Sequence, residues 1–122
     1  MKRDISLYIK DILKNMGKAE KFIKDITYED FALDEKTNYA VVRCIEIIGE
    51  AAKNIPENIR RKYSDIPWKK MAGMRDKISH FYFGIDMKKV WLAIKRDIPT
   101  IKPQISKMLK DISNEKKSRP KK

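Results

Sequence analysis

The chain has 122 residues and carries 29 Lys and Arg against 17 Asp and Glu, which gives a formal net charge of +12. Its 42% hydrophobic content, with four Gly and five Pro, indicates one folded domain and excludes a mostly disordered chain. One Cys and one His exclude a disulfide framework and any site that needs several His or Cys from one chain. No apolar run reaches the roughly 18–20 residues of a membrane span, and residues 1–11 have no signal-peptide core, so we expect a cytoplasmic protein with no membrane partner.

The positive charge is spread over the chain. Residues 115–122 hold five basic residues and one acid, so they account for only part of the excess. A basic globular body favours polyanionic partners such as RNA, or an acidic protein. Solubility explains the same charge, and the charge alone does not choose between these explanations.

The first predicted helix is long. Its apolar residues recur at alternating steps of four and three, which is the period of one buried helix face. These residues are Ile5, Ile9, Ile12, Met16, Ala19 and Ile23. A short link over residues 27–30 is expected to lead into the next helix.

The second predicted helix, near residues 34–54, has two adjacent apolar stripes. One contains Val41, Ile45, Ile48, Ala52 and Ile55, and the other contains Ala40, Cys44, Ile47 and Ala51. Burial on two sides means either that this helix is central or that its second stripe contacts another subunit. Gly49 would let a neighbouring helix approach closely. Cys44 is expected to be a small buried apolar residue rather than a nucleophile.

Prolines and caps divide the second half of the chain. Pro56 ends the second helix, and residues 57–63 are predicted to form a short turn of helix. A third helix begins around Pro67 and should end near Gly84, after which Asp86 caps the next helix.

The last predicted helical region contains two prolines. Pro99 and Pro103 are expected to break or kink it, after which an apolar stripe continues to Ile112. No segment of the sequence favours a β-strand over a helix. The predicted fold is therefore all-α, a four- to five-helix up-and-down bundle over residues 1–113, followed by a basic disordered tail over residues 114–122.

The candidate chemistry lies in the third helix. At about 100° per residue, Asp76 and His80 fall on the face opposite Met74 and the core. They are four residues apart, so the carboxylate can hydrogen-bond the imidazole and raise its pKa. Arg75 can turn toward the same face and bind a phosphate with two hydrogen bonds.

These groups suit a metal-independent ribonuclease. An imidazole would move the protons of the 2′-hydroxyl and the leaving group, and an Arg would stabilise the phosphorane-like transition state. One His per chain is a handicap, but a two-fold dimer would supply two, and Gly73 would permit the close approach of a partner. On spacing alone, a solvated helix face is the commoner explanation.

The sequence from Arg75 to Tyr82, RDKISHFY, resembles the R-x4-H-x-Y signature of HEPN-domain proteins, specifically the HepT-like toxin family. Three further blocks resemble that family in order: EIIGEAAK at 46–53, IPWKKMAGMR at 66–75 and YFGID at 82–86, followed by VW and DIP. The resemblance covers roughly residues 1–112.

This resemblance implies an all-α homodimer with a composite active site between the protomers. It implies a ribonuclease toxin that works without metal or other cofactor, in a type VII-like toxin–antitoxin system with an MNT-type nucleotidyltransferase antitoxin. By motif position, Arg75 and His80 would be the catalytic pair and Asp76 the assisting residue, at a position where Asn is also common. Tyr82 would be the tyrosine that the antitoxin modifies with AMP (AMPylation). The alternative is a non-catalytic HEPN helical module that binds a nucleotide or a nucleotidyltransferase partner.

Two other groups of residues have open interpretations. Arg60, Arg61, Lys69 and Lys70 surround Tyr63 and Trp68, and this basic-aromatic cluster could bind RNA. The aromatic rings could equally anchor packing between helices.

Glu46 and Glu50 could be paired carboxylates for acid–base chemistry. Surface ion pairing, with Arg43 and Lys53 three residues away on either side, or contacts at an interface are favoured instead.

Overall fold

The computed structural model describes residues 4–80 and 86–118, with the backbone alone for residues 76–80 and 116–118. These residues contain helices and no strand, which confirms the all-α prediction. The helices, numbered in chain order, are α1 Ile5–Phe22, α2 Tyr28–Leu33, α3 Glu35–Lys53, α4 Glu57–Lys62, α5 Trp68–His80, α6 Met87–Leu92 and α7 Ile98–Ser118, with a π-helical turn Ala93–Asp97 between α6 and α7. Within this part of the chain, no helix combines the length and apolarity needed to cross a bilayer.

Helix α3 is the central element, because it packs against α1 on one side and α5 on another. The predicted stripe of α1 is buried from Ile9 to Ile23, and the first stripe of α3 is buried throughout. Cys44, in the second stripe, is also buried, and this burial raises the pKa of its thiol, as expected for a packing residue. Packing within one chain therefore buries the whole first stripe of α3, and Cys44 and Ala51 of the second stripe.

The predicted link over residues 27–30 is wrong, because α2 begins there. The Thr27 hydroxyl accepts a hydrogen bond from the Asp30 amide at 3.1 Å and so caps the new helix. Phe31 is fully buried, and its ring centroid lies 5.3 Å from that of Trp91. Six residues are too few to show a helical period. Helix α2 therefore depends on its Thr27 cap and on the buried side chain of Phe31.

Of the two outcomes predicted at Pro99 and Pro103, a break is wrong, because the chain stays helical from Met87 to Ser118. The kink stays a prediction. The wider π-helical turn Ala93–Asp97 directly precedes Pro99, where an ordinary turn would bring the proline ring against the carbonyl of Lys95. Helix α7 then passes through Pro103.

Other predicted boundaries have different outcomes. Five residues of the predicted tail, 114–118, are helical, so disorder from residue 114 is wrong for them. Residues 119–122 and the predicted end of the third helix near Gly84 lie outside the described residues. The short helix α4 after Pro56 is confirmed, and so is the Asp86 cap, which accepts hydrogen bonds from the amides of Lys88 and Lys89.

Candidate active site

Helices α3 and α5 meet closely at Gly49. A Cβ atom added there would overlap the Cβ of Arg75 and lie 3.2 Å from the carbonyl oxygen of Met71. Only glycine therefore allows the two helix backbones to approach to this distance. The predicted close approach at Gly49 is confirmed, and it occurs at the turn of α5 that carries Arg75.

Arg75 is held from α3. Its Nε lies 3.0 Å from Oε2 of Glu50, and the two side chains are 35% and 57% exposed. An exposed ion pair of this kind adds only about 0.2–1 kcal/mol to stability. Its larger effect is on orientation, because a planar guanidinium anchored through Nε has its terminal amino groups fixed in direction.

The surroundings of Arg75 form a small pocket of about 300 Å³ between α1, α3 and α5. It is lined by Tyr8, Asp11, Arg43, Glu46, Ile47, Glu50, Ala51, Asn54 and Arg75. The pocket thus contains three carboxylates and two guanidinium groups. Arg43 Nη1 lies 4.0 Å from Glu46 Oε2, which confirms the ion pair predicted for Glu46. Glu50 pairs with Arg75 of another helix, and its predicted pair with Lys53 stays a prediction.

Sequence reasoning missed the pairing of Glu50 with Arg75. Glu50 stood out only beside Arg43 and Lys53, its neighbours on the same helix. Arg75 lies 25 residues further along the chain, and only the close contact at Gly49 makes the pair possible. The signal that could have found it is a glycine one residue before a glutamate in a helix with two buried stripes.

The other residues of the signature are placed in part. Asp76 and His80 lie on α5, and His80 is the last residue of that helix. Tyr82 lies outside the described residues. The predicted hydrogen bond between Asp76 and His80 therefore stays a prediction.

The four predicted RNA-binding cations are divided between two places. On α4, Arg61 Nη2 lies 2.8 Å from Glu57 Oε1, while Arg60 is half-buried. Lys69 and Lys70 line a groove on α5, whose lining does not include Arg60 or Arg61.

Trp68 is a packing residue. It is buried, and its indole Nε1 donates a hydrogen bond to the carbonyl oxygen of Tyr63 at 3.0 Å. Burial is also the main cause of the raised pKa of Tyr63. Of the two interpretations left open for the aromatic pair, packing is confirmed for Trp68, and stacking of RNA bases on its ring is wrong.

The groove beside Lys69, which we call the α5–α6 groove, has a volume of about 760 Å³. Its cations are Lys69, Lys70, Lys89 and Arg96, with one acid, Asp97, and its apolar lining is Ile45, Pro67, Met74, Val90, Leu92 and Ala93. Asp97 Oδ1 lies 3.1 Å from Lys70 Nζ and 3.8 Å from Arg96 Nε. Gly73 also lines this groove, and a Cβ added there would have no atom within 4 Å among the described residues.

Comparisons with known proteins converge on one family. The family model described as ribonuclease HepT-like matches residues 12–108. Two Methanocaldococcus jannaschii proteins named as candidate RNases are each 50% identical to the chain over 111 residues. These matches cover 91% of this chain and 96% and 92% of the two relatives. A Thermococcus cleftensis protein named probable ribonuclease HepT is 46% identical over 110 residues, which is 90% of this chain and all of that relative. No solved structure matches.

Proposed function

Because the chain belongs to the HepT-like ribonuclease family, we propose that it is an endoribonuclease that needs no metal ion, with Arg75 and His80 as its catalytic pair. The observation that carries this assignment is the placement of Arg75. Its guanidinium is anchored by Glu50 in a pocket, at a helix contact that only a glycine permits, and it lies five residues before His80 on the same helix. The anchor of Arg75 comes from another helix, whereas the exposed Arg61 pairs with Glu57 of its own helix.

The proposed chemistry divides between the two residues. The His80 imidazole takes the proton of a ribose 2′-hydroxyl, whose oxygen then attacks the adjacent phosphorus atom while the 5′-oxygen leaves with a proton. We assign the terminal amino groups of Arg75 to the phosphate oxygens, where negative charge builds up in the transition state. Asp76 would fix the tautomer and raise the pKa of the imidazole.

A homodimer is part of this proposal. One imidazole cannot be both base and acid at the same moment, and the chain has a single His. Two chains related by a two-fold axis would provide two His80 and two Arg75 in one cleft. Support comes from the family resemblance and from the single histidine.

The test is cleavage of a labelled single-stranded RNA by purified protein in EDTA. We expect Arg75→Ala and His80→Ala each to lower the single-turnover rate by about 100-fold or more. Lys14→Ala, an exposed cation on α1, is the control variant and should leave the rate unchanged. Cleavage that survives both substitutions would refute the catalytic assignment. RNA or nucleotide binding without any cleavage by the wild type would favour the non-catalytic helical module instead.

Regulation by an MNT-type nucleotidyltransferase antitoxin is a further part of the proposal, and it is supported by the resemblance around Tyr82. Transfer of AMP from ATP to the Tyr82 hydroxyl, with release of pyrophosphate, would add a bulky phosphate close to the signature. This phosphate would compete with RNA for Arg75. Intact-mass measurement after incubation with a co-encoded nucleotidyltransferase and ATP should show an AMP adduct that Tyr82→Phe abolishes. An unmodified wild-type chain would contradict this step.

A further inference from the structure

The pocket that contains Arg75 has the wrong charge for a second phosphate. Its described lining carries three carboxylates against two guanidinium groups, which is a net charge of −1. A further phosphate entering it would be repelled by that charge. A neutral, planar group with hydrogen-bond donors on its edge would instead meet carboxylate acceptors, so the pocket favours a nucleobase.

The two arginines of the pocket are engaged to different degrees. Arg75 Nε lies 3.0 Å from Glu50 Oε2, which is a hydrogen-bonded ion pair. Arg43 Nη1 lies 4.0 Å from Glu46 Oε2, and this distance is too long for a hydrogen bond. The Arg43 guanidinium can therefore turn its paired donors toward a ligand, and O6 and N7 of guanine are the base atoms that arginine contacts most often.

Helix α1 supplies the other side of the pocket. Tyr8 and Asp11 lie one helical turn apart there. The Tyr8 side chain is half-buried against the core, which gives the pocket a fixed ring on which a base can stack. The Asp11 carboxylate has two oxygens that accept several hydrogen bonds, so it can bind the edge of a base in addition to its contacts within the chain.

Guanine matches these groups better than the other three bases. Its N1–H and N2 amino donors are adjacent on one edge, where a single carboxylate can accept both, and its O6 and N7 acceptors are adjacent on the next. Adenine and cytosine have an amino group but no neighbouring imino donor, and uracil has an imino donor but no amino group. An arginine and a carboxylate together therefore select guanine.

We propose that this pocket binds the guanine base of the nucleotide next to the phosphate that Arg75 contacts. Asp11 accepts hydrogen bonds from N1 and N2, Arg43 donates to O6 and N7, and the Tyr8 ring stacks on the base. The inference rests on the proposed function for the role of Arg75, and it adds a substrate class, single-stranded RNA with a guanosine at the cleavage site.

Single-atom changes in the RNA test the contacts without altering the protein. The probes are short single-stranded RNAs with one guanosine among uridines, and the same RNAs with inosine, which lacks the N2 amino group, or 7-deazaguanosine, which lacks N7. Dissociation constants are measured with His80→Ala, so that the RNA stays intact. Each replacement should weaken binding by about tenfold. Wild-type cleavage should map beside the guanosine.

Protein variants in the same His80→Ala background assign each contact to its residue. Asp11→Asn should weaken binding of the guanosine RNA by about tenfold and leave that of the inosine RNA nearly unchanged. Arg43→Gln should behave in the same way toward guanosine and 7-deazaguanosine. Asp30→Asn and Lys14→Gln, at exposed positions outside the pocket lining, are the matched controls and should keep the full preference for guanosine. Circular dichroism checks that every variant is folded.

The outcomes separate this pocket from the proposed catalysis. A preference for guanosine in binding, without cleavage by the wild type, would support the pocket and refute the ribonuclease. Cleavage by the wild type with equal affinity for the three RNAs would overturn the pocket alone. A preference for guanosine that both Asp11→Asn and Arg43→Gln retain would also overturn it.

Discussion

The two sides of helix α5 differ sharply although a glycine lies at each of them. On the Arg75 side, Gly49 of α3 lets the helices touch, and a carboxylate from α3 holds the guanidinium. On the other side, Gly73 faces an open groove with cations around an aliphatic floor. Internal packing thus fixes the proposed catalytic group Arg75, whereas the opposite face of α5 is open to another molecule.

The sharpest test of this difference is the same substitution on each side. Gly49→Ala places a methyl group onto Arg75 and should lower the free energy of unfolding by about 1–3 kcal/mol through overpacking. Gly73→Ala meets no described atom and removes backbone freedom from the unfolded chain, so it should raise that free energy by roughly 0.5–1 kcal/mol. Urea unfolding followed by circular dichroism measures both values.

Opposite signs are the essential result for the glycine pair. If Gly49→Ala proved as stable as the wild type, α3 and α5 would not be in the close contact described. If Gly73→Ala were equally destabilising, the groove would be filled by part of the same chain.

A second test separates orientation from stability at the Arg75 pocket. Glu50→Ala should lower the single-turnover cleavage rate by about tenfold, because Arg75 would lose the anchor on its Nε. Glu50→Gln, which keeps an oxygen acceptor, should recover part of that loss. Both side chains are substantially exposed, so the free energy of unfolding should change by no more than about 1 kcal/mol.

The neighbouring carboxylate provides the matched control. Glu46→Gln lies in the same pocket but pairs with Arg43 at 4.0 Å, and it should leave the orientation of Arg75 unchanged. A fall in RNA affinity with an unchanged rate for Glu50→Ala would contradict a positioning role. Equal effects of Glu46→Gln and Glu50→Gln would point to the charge of the pocket and not to the anchor.

The sequence predicts the features that depend on local apolar periodicity or on a single residue that ends or caps a helix. The stripes of α1 and α3, the helix after Pro56 and the cap at Asp86 follow from spacing and backbone chemistry alone. Helix α2 could not be predicted because it is shorter than two turns and depends on tertiary contacts between Phe31 and Trp91. The π-helical turn was missed because a proline was expected to break a helix, whereas a wider turn accommodates it.

The candidate site was predictable only where the signature is contiguous. Arg75 and His80 share one helix and are visible in a single line of sequence. The Glu50 anchor and the cations Lys89 and Arg96 come from other helices, and their positions depend on how those helices pack. Which residues of two distant helices come together depends on how their side chains interlock, and composition does not determine it.

A smaller effect is expected at Asp97, the acid in the described lining of the α5–α6 groove. It is 15% exposed and lies near both Lys70 and Arg96, so Asp97→Asn would leave two neighbouring cations without their shared carboxylate. We expect a loss of about 1 kcal/mol in the free energy of unfolding. Urea unfolding followed by circular dichroism measures this loss. An unchanged free energy of unfolding would contradict a stabilising role for the two ion pairs of Asp97.

The smallest effect concerns Asp34, which caps α3. Its carboxylate accepts hydrogen bonds from the Thr37 hydroxyl at 2.6 Å and the Thr37 amide at 3.2 Å, and these bonds lower its pKa below 3.8. A lowered pKa means that the stabilisation is fully present above the unfolded-state pKa and is lost as the pH falls through the folded-state value. Asp34→Ala should therefore have a lower Tm than the wild type at pH 7, with the difference shrinking below pH 3.8.

Thr37→Val separates the two bonds, because it removes the hydroxyl donor and keeps the amide. Its Tm should fall between those of the wild type and Asp34→Ala, with a weaker pH dependence. A Tm difference between Asp34→Ala and the wild type that stayed constant as the pH fell would contradict the charged cap as its cause.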